Sequence, residues 1–252
     1  MRSWRADLLG TGLVLSLFAG CAREGVERVE WTVMDTIAAV QWRGARDAGL
    51  GLRDTTMEAF AQVEGLLNAY ASESELSRLA ALPDAEILRR CDPIVRPCYA
   101  AAFRLRDETG GRFNPRWKGP GTMDLGGIAK GFAVDLAAER AGMAGLIDLG
   151  GNLKAVGGEW KVGILGGGDF RLGPGEACAT SARYFRGSHI HDGRDGTEIE
   201  NRIRSVTVVH PHSAMLADGL STVLFILGRD EGERFLREHH PEARAIWYTT
   251  DP

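Results

Sequence analysis

Three features of the sequence predict an α+β fold. Segments with apolar residues at helical spacing are interleaved with alternating, β-branched segments. Both kinds recur to the end of the chain, and their order lacks the strand–helix–strand rhythm of a doubly wound parallel sheet. The 252 residues are 44% hydrophobic and 25% charged, a globular balance with enough chain to bury a core. No low-complexity linker divides them, so residues 31–252 are read as one domain behind a leader at 1–21 and a polar tether at 22–30. A net charge of −4 without any basic run argues against a nucleic-acid partner.

The leader has the layout of a secretory signal. Arg2 and Arg5 precede an apolar run, Leu8 to Ala19, which is short for a membrane span, and small residues lead to Cys21. "FAGC" resembles a lipobox, whose cysteine becomes a lipidated N-terminus, although Phe18 stands where leucine is usual. An ordinary signal peptide or a short anchor helix is the other reading. Both put the folded part outside the cytoplasm, and lipidation would tether it to a membrane. There a Cys91–Cys98 disulfide is conceivable, but spacing alone does not decide it.

The elements follow in order. Thr32 to Trp42 alternates weakly and reads as a strand. Met57, Phe60, Val63, Leu67 and Tyr70 are spaced as one helix face, with Asp54 as the cap. Ser72 with Glu75 fits a capping box for a short helix. A further helix runs from Pro97 to Thr109 and stops at Gly110-Gly111. Ile128, Phe132 and Leu136 share a helix face, and "GLIDLGGNLKAVGGEWKVGIL" reads as two or more strands broken by glycine pairs. "CATSARYFRGSHIHDGRDGTEI" is turn-rich. A strand ("RSVTVVH"), an apolar helix ("SAMLADGLSTVLFILG"), a charged helix ("DEGERFLREHH") and a last strand ("ARAIWYT") close the chain.

Four pieces carry chemistry. In "DLGGIAKGFAVD", Lys130 sits in a first helical turn, where the dipole field repels a cation. An anion bound there would reverse that sign, and Gly126-Gly127 would let a phosphate reach the backbone. The bland reading is a glycine loop with a solvated lysine. In "ADGLSTV", Asp218 and Thr222 lie four apart on one helix face and could offer oxygens to Mg²⁺. Otherwise Thr222 bonds back to the Asp218 carbonyl and Asp218 is solvated. In "SHIHDGRDG", His189 or His191 could serve as a general base beside a phosphate. Alternatively the His189/His191 and His210/His212 pairs could bind a transition metal, or these are polar loop histidines. Tyr70 could stack on a ring system or end a helix in the core.

Taken together and in order, these pieces resemble the ApbE-type FAD:protein FMN transferases. "MDT" at Met34 is similar to the family's MGT. "NAYASESELSRL" resembles S-x-Y-x-x-x-SELSRL, "TGGRFNP" resembles TGGxFDP, and "DLGGIAKGFAVD" matches the hallmark. "ATSARY" is similar to ATSGxY, "SHIHDGRDG" to SHIIDPRTG, and "SVTVVHPHSAMLADGLSTVLFILG" to SVTVVAPSAMLADALSTALFVLG. The resemblance implies an ApbE-like (T-fold-like) arrangement of mixed sheets and packed helices, with FAD held in a cleft between two lobes. It implies cleavage of FAD, transfer of FMN by a phosphoester to a Thr or Ser hydroxyl of a target protein, and release of AMP. The targets implied are subunits of membrane redox complexes, such as Na⁺-translocating or Rnf-type reductases, on the periplasmic side of the inner membrane. FAD pyrophosphatase activity, or flavin binding with weakened catalysis, are the alternatives. By the same resemblance Asp218, Thr222 and the Ala129 carbonyl bind Mg²⁺. Lys130, Gly126, Gly127, Met34, Tyr70, Asp135, Thr180, Ser181 and Asp192 form the FAD site, and His189 is the base. The chain departs from the pattern at Asp35, Ala182, Gly193 and Asp195. It also joins "FNP" to "DLGG" in a few residues, which implies a trimmed lobe and a more open cleft.

Overall fold

The computed structural model describes residues 25–164, 168–182 and 190–249. The leader with Cys21 and the segment containing His189 therefore lie outside the described residues. Two strands open the fold, β1 (Val26–Val33) and β2 (Thr36–Arg43). The expected tether at 22–30 is thus a strand from Val26 onward, because "VERVEWTV" alternates and finds a partner in β2 along its full length. The turn between them places Met34 and Asp35 at φ 51° and 54°. Two left-handed residues make the hairpin turn whose twist suits the strands. This conformation favours glycine, and Asp35 is among the residues that tolerate it best.

A 3-10 turn at Arg46–Gly49 leads directly into α1 (Leu50–Leu67), so the expected cap Asp54 lies inside the helix. Next come α2 (Glu75–Leu79), α3 (Asp84–Arg90) and α4 (Arg96–Glu108). The cap of α2 is Ser74, whose Oγ accepts the Ser77 N–H, and not Ser72. The connection from 109 to 128 contains turns and no helix or strand. Then follow α5 (Ala129–Arg140), β3 (Gly145–Leu149), β4 (Asn152–Val156), β5 (Trp160–Ile164), β6 (Gly168–Leu172) and β7 (Ala177–Ala182). The chain closes with β8 (Ile203–His210), α6 (Ala214–Leu227), α7 (Arg229–His239) and β9 (Arg244–Thr249). The start of the turn-rich segment is therefore the strand β7, whose small residues hid its alternation.

Seven strands form one antiparallel sheet in the order β1-β2-β3-β4-β7-β8-β9, and β5 and β6 form a separate hairpin. The main core lies between the sheet and the helices. A second cluster, with Trp160, Val162 and Leu172 against Leu146, Cys178 and Val209, seats the hairpin on the sheet. Helix α6 is buried nearly all round and packs against α4, α5 and α7. It meets α5 closely: a Cβ on Gly131 would stand 2.2 Å from the Ala214 carbonyl oxygen. Only glycine permits that approach, and it brings the start of α5 against α6. Cys91, Cys98 and Cys178 are buried, separate thiols, so the Cys91–Cys98 disulfide is not formed.

Candidate active site

The first turn of α5 is the centre of the site. Ile128 supplies no side-chain cap, the turn contains no acid, and Lys130 donates from Nζ to the Gly126 carbonyl at 2.9 Å. Ahead of it, Asp124 Oδ1 accepts the Gly126 N–H at 2.8 Å, and Lys118 donates to Oδ2 at 2.8 Å. Burial pushes the Asp124 carboxyl upward, but these hydrogen bonds outweigh it and hold it below its ordinary range.

Helix α6 brings Asp218 and Thr222 to this turn. Asp218, 6% exposed, accepts the Gly131 N–H on Oδ2 at 2.9 Å. Burial drives its pKa up, against the Lys130 charge and that hydrogen bond. The bland reading of Thr222 fails here. Ser221 makes the backward bond to the Asp218 carbonyl, at 2.9 Å, while Thr222 Oγ1 points to the Gly127 carbonyl and to Ser181 Oγ, each at 3.4 Å. Ser181 also bonds Ser221 at 2.9 Å. The carbonyl beside Thr222 is thus that of Gly127, whereas Ala129 is already within the helix. A buried carboxylate, two hydroxyls and a carbonyl make an oxygen-only set, the kind a hard divalent cation prefers. Bound there, such a cation would relieve the cost of the buried charge.

The other expected site residues have varied placements. Asp135 does not face the anion turn. Its carboxylate accepts from Lys154 Nζ (2.7 Å), Ser213 Oγ (2.8 Å), Ala214 N (2.9 Å) and Met215 N (3.0 Å), and so closes the start of α6. Thr180 is separated from Ser181, because successive strand residues point to opposite faces. Its hydroxyl pairs with Thr207 at 2.8 Å. Met34 and Tyr70 both lie at the end of α1. The Met34 N–H reaches Glu64 Oε1 at 3.1 Å, and Tyr70, 84% exposed, has its N–H on Asn68 Oδ1 at 2.8 Å. Asp192, buried, organises its own loop through Arg194 N (3.0 Å), Nε (2.9 Å) and Nη2 (2.8 Å). The Arg194 hydrogen bonds hold its carboxyl below the usual range.

The transition-metal reading of His210 and His212 is not supported. His210 Nδ1 accepts the N–H groups of His212 and Ser213 at 3.2 and 3.0 Å, so that nitrogen serves the backbone. Among the described residues no three His, Cys, Asp or Glu side chains gather as a metal site.

Trp117 and Lys118 escaped the sequence reading. The Trp117 ring stacks on His191 with centroids 4.4 Å apart and planes 14° from parallel. Lys118 Nζ lies 5.0 Å from the Trp117 ring and 5.6 Å from the Tyr70 ring. These groups come from the short connection and from the loop after β7. Gly193 permits that meeting, since a Cβ there would stand 2.3 Å from Asn114 Cβ. Its N–H donates to the Arg112 carbonyl at 2.8 Å, a bond that proline at this position could not make.

The family model described as the ApbE family matches residues 117–247. A FAD:protein FMN transferase of Klebsiella pneumoniae is 35% identical over 147 residues, covering 50% of this chain and 45% of the relative. One from Rhodobacter capsulatus is 32% identical over 187 residues, covering 64% of this chain and 35% of the relative. The chain thus spans less than half the length of these curated relatives. The fold is that of solved flavin transferases. The Pseudomonas stutzeri ApbE apo structure superposes with a TM-score of 0.74 at 23% identity, covering 91% of this chain and 92% of the other. The Vibrio cholerae ApbE gives 0.73 at 21% identity, covering 90% and 95%. With the family model spanning half of the chain, from the tryptophan before the anion turn to the last strand, this protein belongs to the ApbE family.

Proposed function

We propose that the chain is a Mg²⁺-dependent FAD:protein FMN transferase. The observation that carries this reading is the convergence of Asp218, Thr222, Ser181 and Lys130 on the uncapped glycine start of α5. Phosphoryl transfer asks a protein for positioning and charge neutralisation, and these groups supply both. The pyrophosphate of FAD lies at the helix start, with Lys130 beside it. Mg²⁺, held by Asp218, Thr222 and the Gly127 carbonyl, supplies further positive charge when bound. A Thr or Ser hydroxyl of the target forms the new P–O bond to the FMN phosphorus as the bond to AMP breaks. His189 takes the hydroxyl proton. The relatives' printed activity supports the same reading. The leader supports a location outside the cytoplasm, with Cys21 as the lipid anchor and a membrane redox subunit as target.

A second reading, FAD pyrophosphatase, draws on the 84% exposure of Tyr70, which leaves that side of the site accessible to water. One assay separates the two. The protein is incubated with FAD, Mg²⁺ and a candidate target subunit, and the target is examined for covalent flavin while AMP is measured. Flavin on the target with AMP in equal amount is the expected result. AMP with free FMN and unlabelled target supports hydrolysis instead, and intact FAD throughout refutes both.

A further inference from the structure

We infer that Trp117 and Lys118 form, with Tyr70, the seat of the flavin ring in this chain; the inference rests on the proposal that the chain binds FAD. Trp117 is held in one orientation without being part of the core. One face lies on His191. Tyr70 presents a large aromatic ring to solvent. The Lys118 ammonium lies within reach of both rings, so the rings converge on one place.

That place adjoins the anion turn directly. Lys118 bonds one oxygen of Asp124, and the other oxygen holds the Gly126 N–H at the start of α5. The aromatic surface and the phosphate site are therefore one side chain apart. A ligand suited to both is a flat π-system joined by a short chain to a pyrophosphate. A bare phosphate or a sugar phosphate would leave the rings unused. His191 carries an independent sign that the surface is built rather than incidental. Its Nδ1 is buried with no partner, a cost that stability does not require at a surface loop. Cation–π contacts at exposed positions return little on their own. Pre-set ring faces instead reduce the ordering needed when a ligand arrives.

The test is a titration of the whole protein with FAD and with ADP-ribose, which keeps the pyrophosphate and lacks the flavin. Flavin fluorescence and calorimetry are the readouts. Trp117→Leu should weaken FAD roughly tenfold and leave ADP-ribose binding unchanged, with the bound flavin less quenched. Trp117→Phe, which keeps a ring face, should recover most of the loss. Lys118→Met should weaken FAD more than ADP-ribose, because it removes the cation between the two rings as well as the charge that compensates Asp124. Unchanged FAD affinity in Trp117→Leu, or an equal loss for ADP-ribose, overturns the inference. A wild-type protein that binds ADP-ribose as tightly as FAD also overturns it. A wild-type protein that binds neither refutes the FAD reading first, and the ring seat with it.

Discussion

The starts of α5 and α6 lie against each other and are finished in opposite ways. At α6, Ser213 accepts the Leu216 N–H, and Asp135 from α5 takes two backbone N–H groups, a hydroxyl and the Lys154 ammonium. At α5, no side chain caps the first residue and the first turn holds a cation. Its partner carboxylate, Asp218 from α6, takes one N–H among the described residues. Each helix lends the other an aspartate; one aspartate is saturated and the other retains free lone pairs. A helix start is thus informative through how completely the protein has closed it. The α6 end is closed by side chains, and the uncapped α5 end is the one we propose a ligand completes.

Substitutions at these two ends would sharpen or break the contrast. The largest effect is expected at Asp218. Asp218→Asn keeps an acceptor for the Gly131 N–H but removes the charge, and transferase turnover should fall at least about a hundredfold. Stability should move the other way. Burial raises the Asp218 pKa above its unfolded value of 3.8, so the ionised carboxylate costs stability. That cost is absent below 3.8 and grows as pH rises through the folded value. The Asn variant's stability advantage over wild type, read from urea midpoints, should therefore widen from acid to neutral pH.

Next comes Asp135→Ala, which strands Lys154 and two helix N–H groups. It should cost about 3 kcal/mol in denaturant unfolding, and a wild-type midpoint would show that the cap is dispensable. The smallest effect is at Lys130. Lys130→Met should leave stability within about 0.5 kcal/mol, because the helix field opposes the native charge. FAD binding should weaken about tenfold and lose part of its salt dependence. Unaltered salt dependence would place the anion elsewhere.

What was legible in the sequence followed periodicity and local chemistry. The glycine stop after α4, the apolar run of α6 and the valine-rich run of β8 give their elements almost to the residue. Lys130, Asp218 and Thr222 were readable because each is an oddity within its own helix. The first strand was hidden by its charges. Its glutamates and Arg28 read as a tether until β2 is seen to pair with it. Asp135 misled because an aspartate in a hallmark motif looks like a ligand, while its donors come from residues 19 to 80 positions away. Trp117 and His191 could not be paired from the sequence. They lie on two loops with no shared period, and a glycine at 193 that lets the loops touch looks like any other turn glycine.

The three described cysteines have a practical consequence. Cys91, Cys98 and Cys178 are at most 2% exposed, and burial pushes each thiol away from the reactive thiolate. Among the described residues the fold therefore does not depend on a disulfide. The same thiols form an internal clock. A maleimide or iodoacetamide added to the native protein can react with them only as fast as the core opens, so the labelling rate measures unfolding without a denaturant.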